Sequence, residues 1–251
     1  MANYQNNQEK KRSIYLLPSL FTTGNLFCGF YAIIASIEGH YFRAAAAVLM
    51  AMIFDILDGR VARITGTASR FGVEYDSLCD LVSFGLAPAL LAYMFALKVY
   101  GRYGWLACFL YVATAALRLA RFNIQASGSA KTYFSGLPSP AAAGLVVTSV
   151  LFMRWLGLDP PVKHIAILAM VYILSYLMVS NIPYFSFKRM PWAERHPFYT
   201  LVSFVLILTV IATEPQVTFF IVFFLYALSG PVLLTLRGWR RVRIPVSEKL
   251  S

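Results

Sequence analysis

FDILDGRVARITGTASRFGVEYDSLCD, residues 54–80, carries five carboxylates in a chain of 251 residues that holds only eleven. They are Asp55, Asp58, Glu74, Asp76 and Asp80, and the sequence on either side of the stretch is apolar. A carboxylate at membrane depth costs from about 2.5 kcal/mol upward, so such groups persist where they face a polar cavity, meet a cation or bind metal. The spacing is helical. Asp55 and Asp58 are i, i+3, and Asp76 and Asp80 are i, i+4, so each pair shares one face of its helix. The polar turn GRVARITGTASRFG between them makes the two helices sequence neighbours, and their acidic faces can meet.

Composition sets the solvent around this stretch. Hydrophobic residues make up 59% of the chain and charged residues 13%, against about 25% charged in an ordinary soluble domain. Apolar runs long enough to cross a hydrocarbon core of about 30 Å recur, and they do not alternate as barrel strands would. The expected class is an all-α membrane protein with about eight spans, near 16–37, 43–59, 72–99, 103–122, 139–155, 164–181, 198–213 and 216–236. The fifth is short enough to be tilted or partly re-entrant. Residues 1–13 form a polar N-terminal segment, and 237–251 a basic tail. Cys28, Cys79 and Cys108 lie in apolar runs and offer no disulfide framework or metal-site spacing.

The basic residues orient the spans. With the N-terminus inside, only Arg43, Lys98, Arg102, Arg154 and Lys163 of the 22 Lys and Arg residues fall outside. The positive-inside rule then gives N-in, C-in and an even span count. This accounts for most of the net charge of +11 and leaves little for a nucleic-acid partner. RGWRRVR near the C-terminus reads as an anchor facing anionic lipid. The tryptophans fit membrane-interface belts.

Four facing carboxylates repel unless something positive sits among them. Carboxylate oxygens without His or Cys suit a hard cation such as Mg²⁺, Mn²⁺ or Ca²⁺, and paired metals clamp phosphoryl transfer. Arg63 offers a phosphate fork. Gly59 and Gly72 allow a ligand to approach the backbone. The hydroxyls of Thr65, Thr67 and Ser69 line the same turn. The plainer alternative is a charge cage in which the acids pair with Arg60, Arg63 and Arg70. Glu74 is the residue that best fits this, as an i, i+4 partner of Arg70.

The full pattern is D-x-x-D-G-x-x-A-R, eight residues, then G-x-x-x-D-x-x-x-D. It is filled by Asp55, Asp58, Gly59, Ala62, Arg63, Gly72, Asp76 and Asp80, and it resembles the CDP-alcohol phosphotransferase family. The resemblance implies a membrane enzyme with a six-helix core, commonly a homodimer. Such an enzyme moves a phosphoryl-linked group from a CDP-linked donor to an alcohol and releases CMP. It implies that Asp55, Asp58 and Asp76 ligate two divalent metals, Mg²⁺ or Mn²⁺. Asp80 would share the second metal and act as general base. Gly59, Ala62, Arg63 and Gly72 would shape the CDP pocket, with Ser69 and Asn25 as further nucleotide contacts. A helix–helix hydrogen bond is the competing role for Asn25.

Other stretches narrow the acceptor. LPSLFTTGNLFCGFYAI, YDSLCDLVSFGLAPALL, LRLARFN and FSGLPSPAAAG resemble the integral-membrane class of phosphatidylserine synthase. This implies CDP-diacylglycerol as donor, L-serine as acceptor, and membrane lipids as surroundings. The core would span 14–188, with 189–236 a two-helix extension. The site would face the cytoplasm from the cytoplasmic membrane. Arg118, Arg121 and Asn123 lie near the inner end of the fourth span, and an Arg fork suits the serine carboxylate. Positive-inside anchoring is their other role. Ser135, Gly136 and Ser139 are acceptor-pocket candidates, although GLPSP also reads as a helix start with Pro140 in its first turn. Two alternatives remain: another acceptor (glycerol 3-phosphate, inositol phosphate or an amino alcohol), and a cation- or proton-coupled transporter using the same acids. The transporter leaves the Gly and Arg spacing unexplained.

Overall fold

The structure, a computed structural model, describes residues 2–66, 69–126, 133–158, 160, 164–185, 209 and 213–242. Within them the chain is almost wholly helical. We number seven helices: α1 (Ala2–Ile37), α2 (Tyr41–Thr65), α3 (Arg70–Phe95), α4 (Arg102–Ala126), α5 (Ser139–Trp155), α6 (Ile165–Val179) and α7 (Pro215–Val242). Four stretches are long and apolar enough to cross a membrane: Ser19–Ile37, Arg70–Phe95, Arg102–Ile124 and Pro215–Thr235. α5 and α6 are shorter apolar helices. α2 is long enough, but Arg43, Asp55, Asp58, Arg60 and Arg63 interrupt it. Of the expected span at 198–213, only 209 and 213 lie among the described residues. Of the expected polar segment at 1–13, the described residues from Ala2 on are the start of α1.

The turn in the acidic stretch is built by local chemistry. Gly66 ends α2 at φ 63°, the left-handed conformation that glycine adopts most easily, and its N–H bonds Ala62 O. Ser69 then caps α3, its hydroxyl accepting from the Gly72 N–H at 3.0 Å. The expected hairpin of two acidic helices is therefore formed with a cap at each side of the turn.

α3 is not regular. A π-helical turn, Leu81–Leu86, follows directly on Asp80. Pro88 lies just beyond it. Proline has no N–H to give to the carbonyl four residues earlier, here Phe84. That carbonyl accepts instead from the Tyr111 hydroxyl of α4 at 3.2 Å, in a fully buried setting. Such π turns in α-helices recur at functional sites.

α5 is the centre of the molecule. Ser139 and every residue from 141 to 151 are buried, with α2, α3, α6 and α7 packed around it. Pro140 lies in its first turn, as GLPSP suggested. α1 packs along α2 and α3, and α4 against α3 and α6. The sequence carried no strand signal, yet β1 (Tyr133–Ser135) pairs antiparallel with β2 (Pro183–Phe185). So short a ladder is marginal alone. It is held by Tyr184, fully buried, whose hydroxyl donates to Ala227 O of α7 at 3.1 Å.

Candidate active site

The acidic faces of α2 and α3 do meet. One carboxylate oxygen each from Asp55, Asp76 and Asp80 lies within 4.8 Å of the other two. Asp58 joins from one turn along α2, its side chain close enough to interact with those of Asp76 and of Thr22 of α1. Asp58 and Asp80 are 4% and 8% exposed, so this is an interior cluster. Asp58 Oδ2 and Asp76 Oδ1 are buried with no hydrogen-bond partner. An unsatisfied carboxylate oxygen carries a desolvation penalty of about 1–3 kcal/mol or more. Clustered carboxylates at this separation require a counter-charge or a proton.

The charge cage is not that counter-charge. Among the described residues the only ion pair within 4.0 Å is Glu38–His40, far along the chain in the α1–α2 turn. Glu74 does not pair with Arg70; its Oε2 accepts from Asn123 Nδ2 at 3.1 Å. The exposed Arg63 turns back on its own helix, donating from Nε to Gly59 O at 2.7 Å. The ligand atoms that the cluster itself offers are all carboxylate oxygens, two of them with orphaned lone pairs. That fits a hard divalent ion.

Asn25 of α1 closes one side. It is fully buried and donates Nδ2–H to Asp80 Oδ1 at 3.0 Å. Its main-chain oxygen accepts from Ser83 in the π turn, also at 3.0 Å. Gly29, one turn on, makes this fit possible: a Cβ there would stand 2.8 Å from Ser83 Cα. Sequence reasoning weighed Asn25 but missed Ser83 and Gly29. The small-residue pattern of CGFYAIIAS was the available signal for a close approach.

Arg118 closes another side. Its Nη1 donates to Ser139 Oγ at 2.8 Å, and its Nε is buried with no partner. Its charge faces Asp80 and Asp55, and Tyr226 of α7 lies within its electrostatic reach. Tyr226 was not singled out in the sequence. Its ring lies tilted at 43° beside that of Tyr184, with centroids 5.8 Å apart, so β2 and α7 deliver it together.

The other candidates separate. Arg121 bonds Asn181 and Val179 O beyond the end of α6. Asn123 bonds Glu74 and Ser77 on α3. Gly136, at φ 86°, lies against the carbonyls of Met178 and Ser180. Ser135 is in β1, opposite Pro183. Gly59, half-buried Ala62, Ser69 and Gly72 lie at the turn end of the α2–α3 hairpin. Thr65 donates to Val61 O at 2.7 Å, and Thr67 lies outside the described residues.

A family model described as CDP-alcohol phosphatidyltransferase matches residues 15–232. The chain belongs to that family. A Helicobacter pylori protein named CDP-diacylglycerol–serine O-phosphatidyltransferase is 42% identical over 180 residues, covering 71% of this chain and 76% of the relative. A Mycobacterium leprae protein of the same name is 33% identical over 236 residues, covering 90% and 77%. An archaetidylserine synthase of Methanothermobacter thermautotrophicus is 38% identical over 181 residues, covering 71% and 73%. The family and the four apolar spans make this chain a membrane protein of phospholipid metabolism.

Proposed function

We propose that the chain transfers the phosphatidyl group of CDP-diacylglycerol to the hydroxyl of L-serine, giving phosphatidylserine and CMP. The observation that carries the chemistry is the convergence of Asp55, Asp76 and Asp80 oxygens within 4.8 Å, with orphaned oxygens on Asp58 and Asp76. The names of the relatives support serine as acceptor.

Asp55, Asp58, Asp76 and Asp80 would hold two divalent ions, Mg²⁺ or Mn²⁺. Those ions would neutralise the diphosphate and make CMP a better leaving group. Gly59, Ala62, Arg63, Ser69 and Gly72 bound the CDP end. Asp80, oriented by Asn25, accepts the proton from the serine hydroxyl. The serine oxygen then bonds to the lipid-side phosphorus as the bond from that phosphorus to the bridging oxygen breaks. CMP departs with that oxygen and its electron pair. Arg118, with a free buried Nε beside Ser139, suits the acceptor carboxylate as a fork. Direct displacement of this kind asks mainly for positioning and charge neutralisation.

The same reading puts both termini and the site on the inner side of the cytoplasmic membrane, on the Lys and Arg asymmetry. It includes eight spans, with 14–188 as the core and 189–236 as the extension. A homodimer follows from the resemblance.

The test is CMP release by purified protein from CDP-diacylglycerol with Mn²⁺ or Mg²⁺, comparing serine, glycerol 3-phosphate and inositol phosphate. Serine-dependent release is expected. Release with another acceptor alone would overturn the serine assignment. No release with any acceptor from folded protein would overturn the transferase reading.

A further inference from the structure

Asn123 sits near the end of α4 and hydrogen-bonds to neighbours of Asp76, its amide being bonded at both ends. Nδ2 donates to Glu74 Oε2 at 3.1 Å, and Oδ1 accepts at 3.1 Å from Ser77 Oγ, whose one proton is shared with Val73 O, also at 3.1 Å. The orientation is chemically forced. The amide NH₂ is the donor that a carboxylate oxygen takes, and this leaves the carbonyl to accept from the Ser77 hydroxyl. Glu74 and Ser77 are i, i+3 on α3 and flank Asp76. One side chain of α4 therefore grips the turn of α3 that carries Asp76.

That turn needs an outside hold. It lies near the start of α3, where Phe71, Val73 and Glu74 are exposed. On the α1 side it is tied by Tyr75 to Thr23, with the two hydroxyls 3.1 Å apart. Asp76 has an oxygen within 4.8 Å of those of Asp55 and Asp80, and its buried Oδ1 has no hydrogen-bond partner. Where Asp76 stands relative to Asp55 and Asp80 is therefore set by where the turn stands. Supporting contacts of this kind tune metal sites.

We propose that Asn123 is a positioning residue, which holds Asp76 in register with Asp55 and Asp80 for a divalent cation, and does not contact the acceptor. This rests on the reading of the aspartates as a metal site.

The experiment is Mn²⁺ binding to the full-length protein in detergent, without substrates, read from the electron paramagnetic resonance signal of free Mn²⁺. KM for serine is measured in parallel at saturating metal. Asn123→Ala removes both hydrogen bonds and should weaken Mn²⁺ binding about fivefold or more, at least the effect of one net hydrogen bond, with KM for serine unchanged. Asn123→Asp should weaken it more, because a carboxylate then faces Glu74. Ser77→Ala should give part of the loss, and adding it to Asn123→Ala should cost little more, since both remove the same Ser77–Asn123 contact. Ser77→Ala also carries the test should Asn123→Ala fail to fold. Unchanged Mn²⁺ binding in both variants overturns the inference and leaves the metal reading intact. A rise in KM for serine with unchanged Mn²⁺ binding makes Asn123 an acceptor contact and overturns it. A wild-type protein that binds no Mn²⁺ overturns the metal reading, and the inference with it.

Discussion

Asn25 and Asp80, 55 positions apart, are joined by a buried hydrogen bond of 3.0 Å from the amide of α1 to the carboxylate of α3. Ser83 locks the same asparagine through its main-chain oxygen, so the amide is aimed from a fixed backbone. Hydrogen bonds to charged groups contribute about 1.5–3 kcal/mol. Asn25→Ala should therefore lower kcat by roughly tenfold to a hundredfold. Asp80→Asn should lower it by at least about a hundredfold, the usual minimum for a general base. CDP-lipid binding should survive in both, measured by equilibrium binding of labelled donor. A fully active Asp80→Asn enzyme would remove the base assignment.

Asp58 and Asp76 each keep a buried oxygen without a partner. If these oxygens are cation ligands, Asp58→Asn and Asp76→Asn should each reduce activity by more than about a hundredfold at fixed metal, beyond the effect of losing a supporting contact. Chelation of the wild type should abolish CMP release, and Mn²⁺ or Mg²⁺ should restore it. Activity that persists after exhaustive chelation would contradict the metal assignment.

Arg118 is the cationic residue whose charge faces both Asp55 and Asp80. Its planar fork cannot be copied by lysine. Arg118→Lys should raise KM for serine by about tenfold or more, with a smaller change in KM for CDP-diacylglycerol. Ser139→Ala removes the 2.8 Å contact that steadies the guanidinium. Its effect on the serine KM should be about fivefold, one net hydrogen bond. Equal changes in both KM values would argue against an acceptor role.

Gly29 and Gly24 face different neighbours on α1. A Cβ at Gly29 would meet the main chain of Ser83, at 2.8 Å from Cα, and main chain cannot rotate aside. At Gly24 it would meet the Phe54 ring at 3.2 Å, which can tilt. Gly29→Ala should destabilise the protein by about 1–3 kcal/mol, the usual cost of overpacking, and also disturb Asp80 through Asn25. Gly24→Ala should cost clearly less. Thermal unfolding in detergent, run on both variants, ranks them, and equal losses would contradict the packing argument.

Much of this protein is local and was legible in the sequence. Helical spacing put Asp55 with Asp58 and Asp76 with Asp80, because a 3.6-residue period fixes which neighbours share a face. The polar run between the two acidic pairs predicts a turn, and the low charge content predicts membrane helices. Arg118, Arg121 and Asn123 show the limit of that logic. They lie within six positions on one helix, yet they bond to α5, to the end of α6 and to α3 respectively. The Arg70–Glu74 pair failed for the same reason: a local spacing rule lost to a partner from another helix. Likewise only the fold brings Tyr226 toward Arg118, or gives the Phe84 carbonyl freed by Pro88 to Tyr111. Spacing along one helix is a property of the covalent chain. Which faces of different helices meet depends on rotation and crossing angles set by many small packing contacts at once, and that is decided only when the tertiary structure forms.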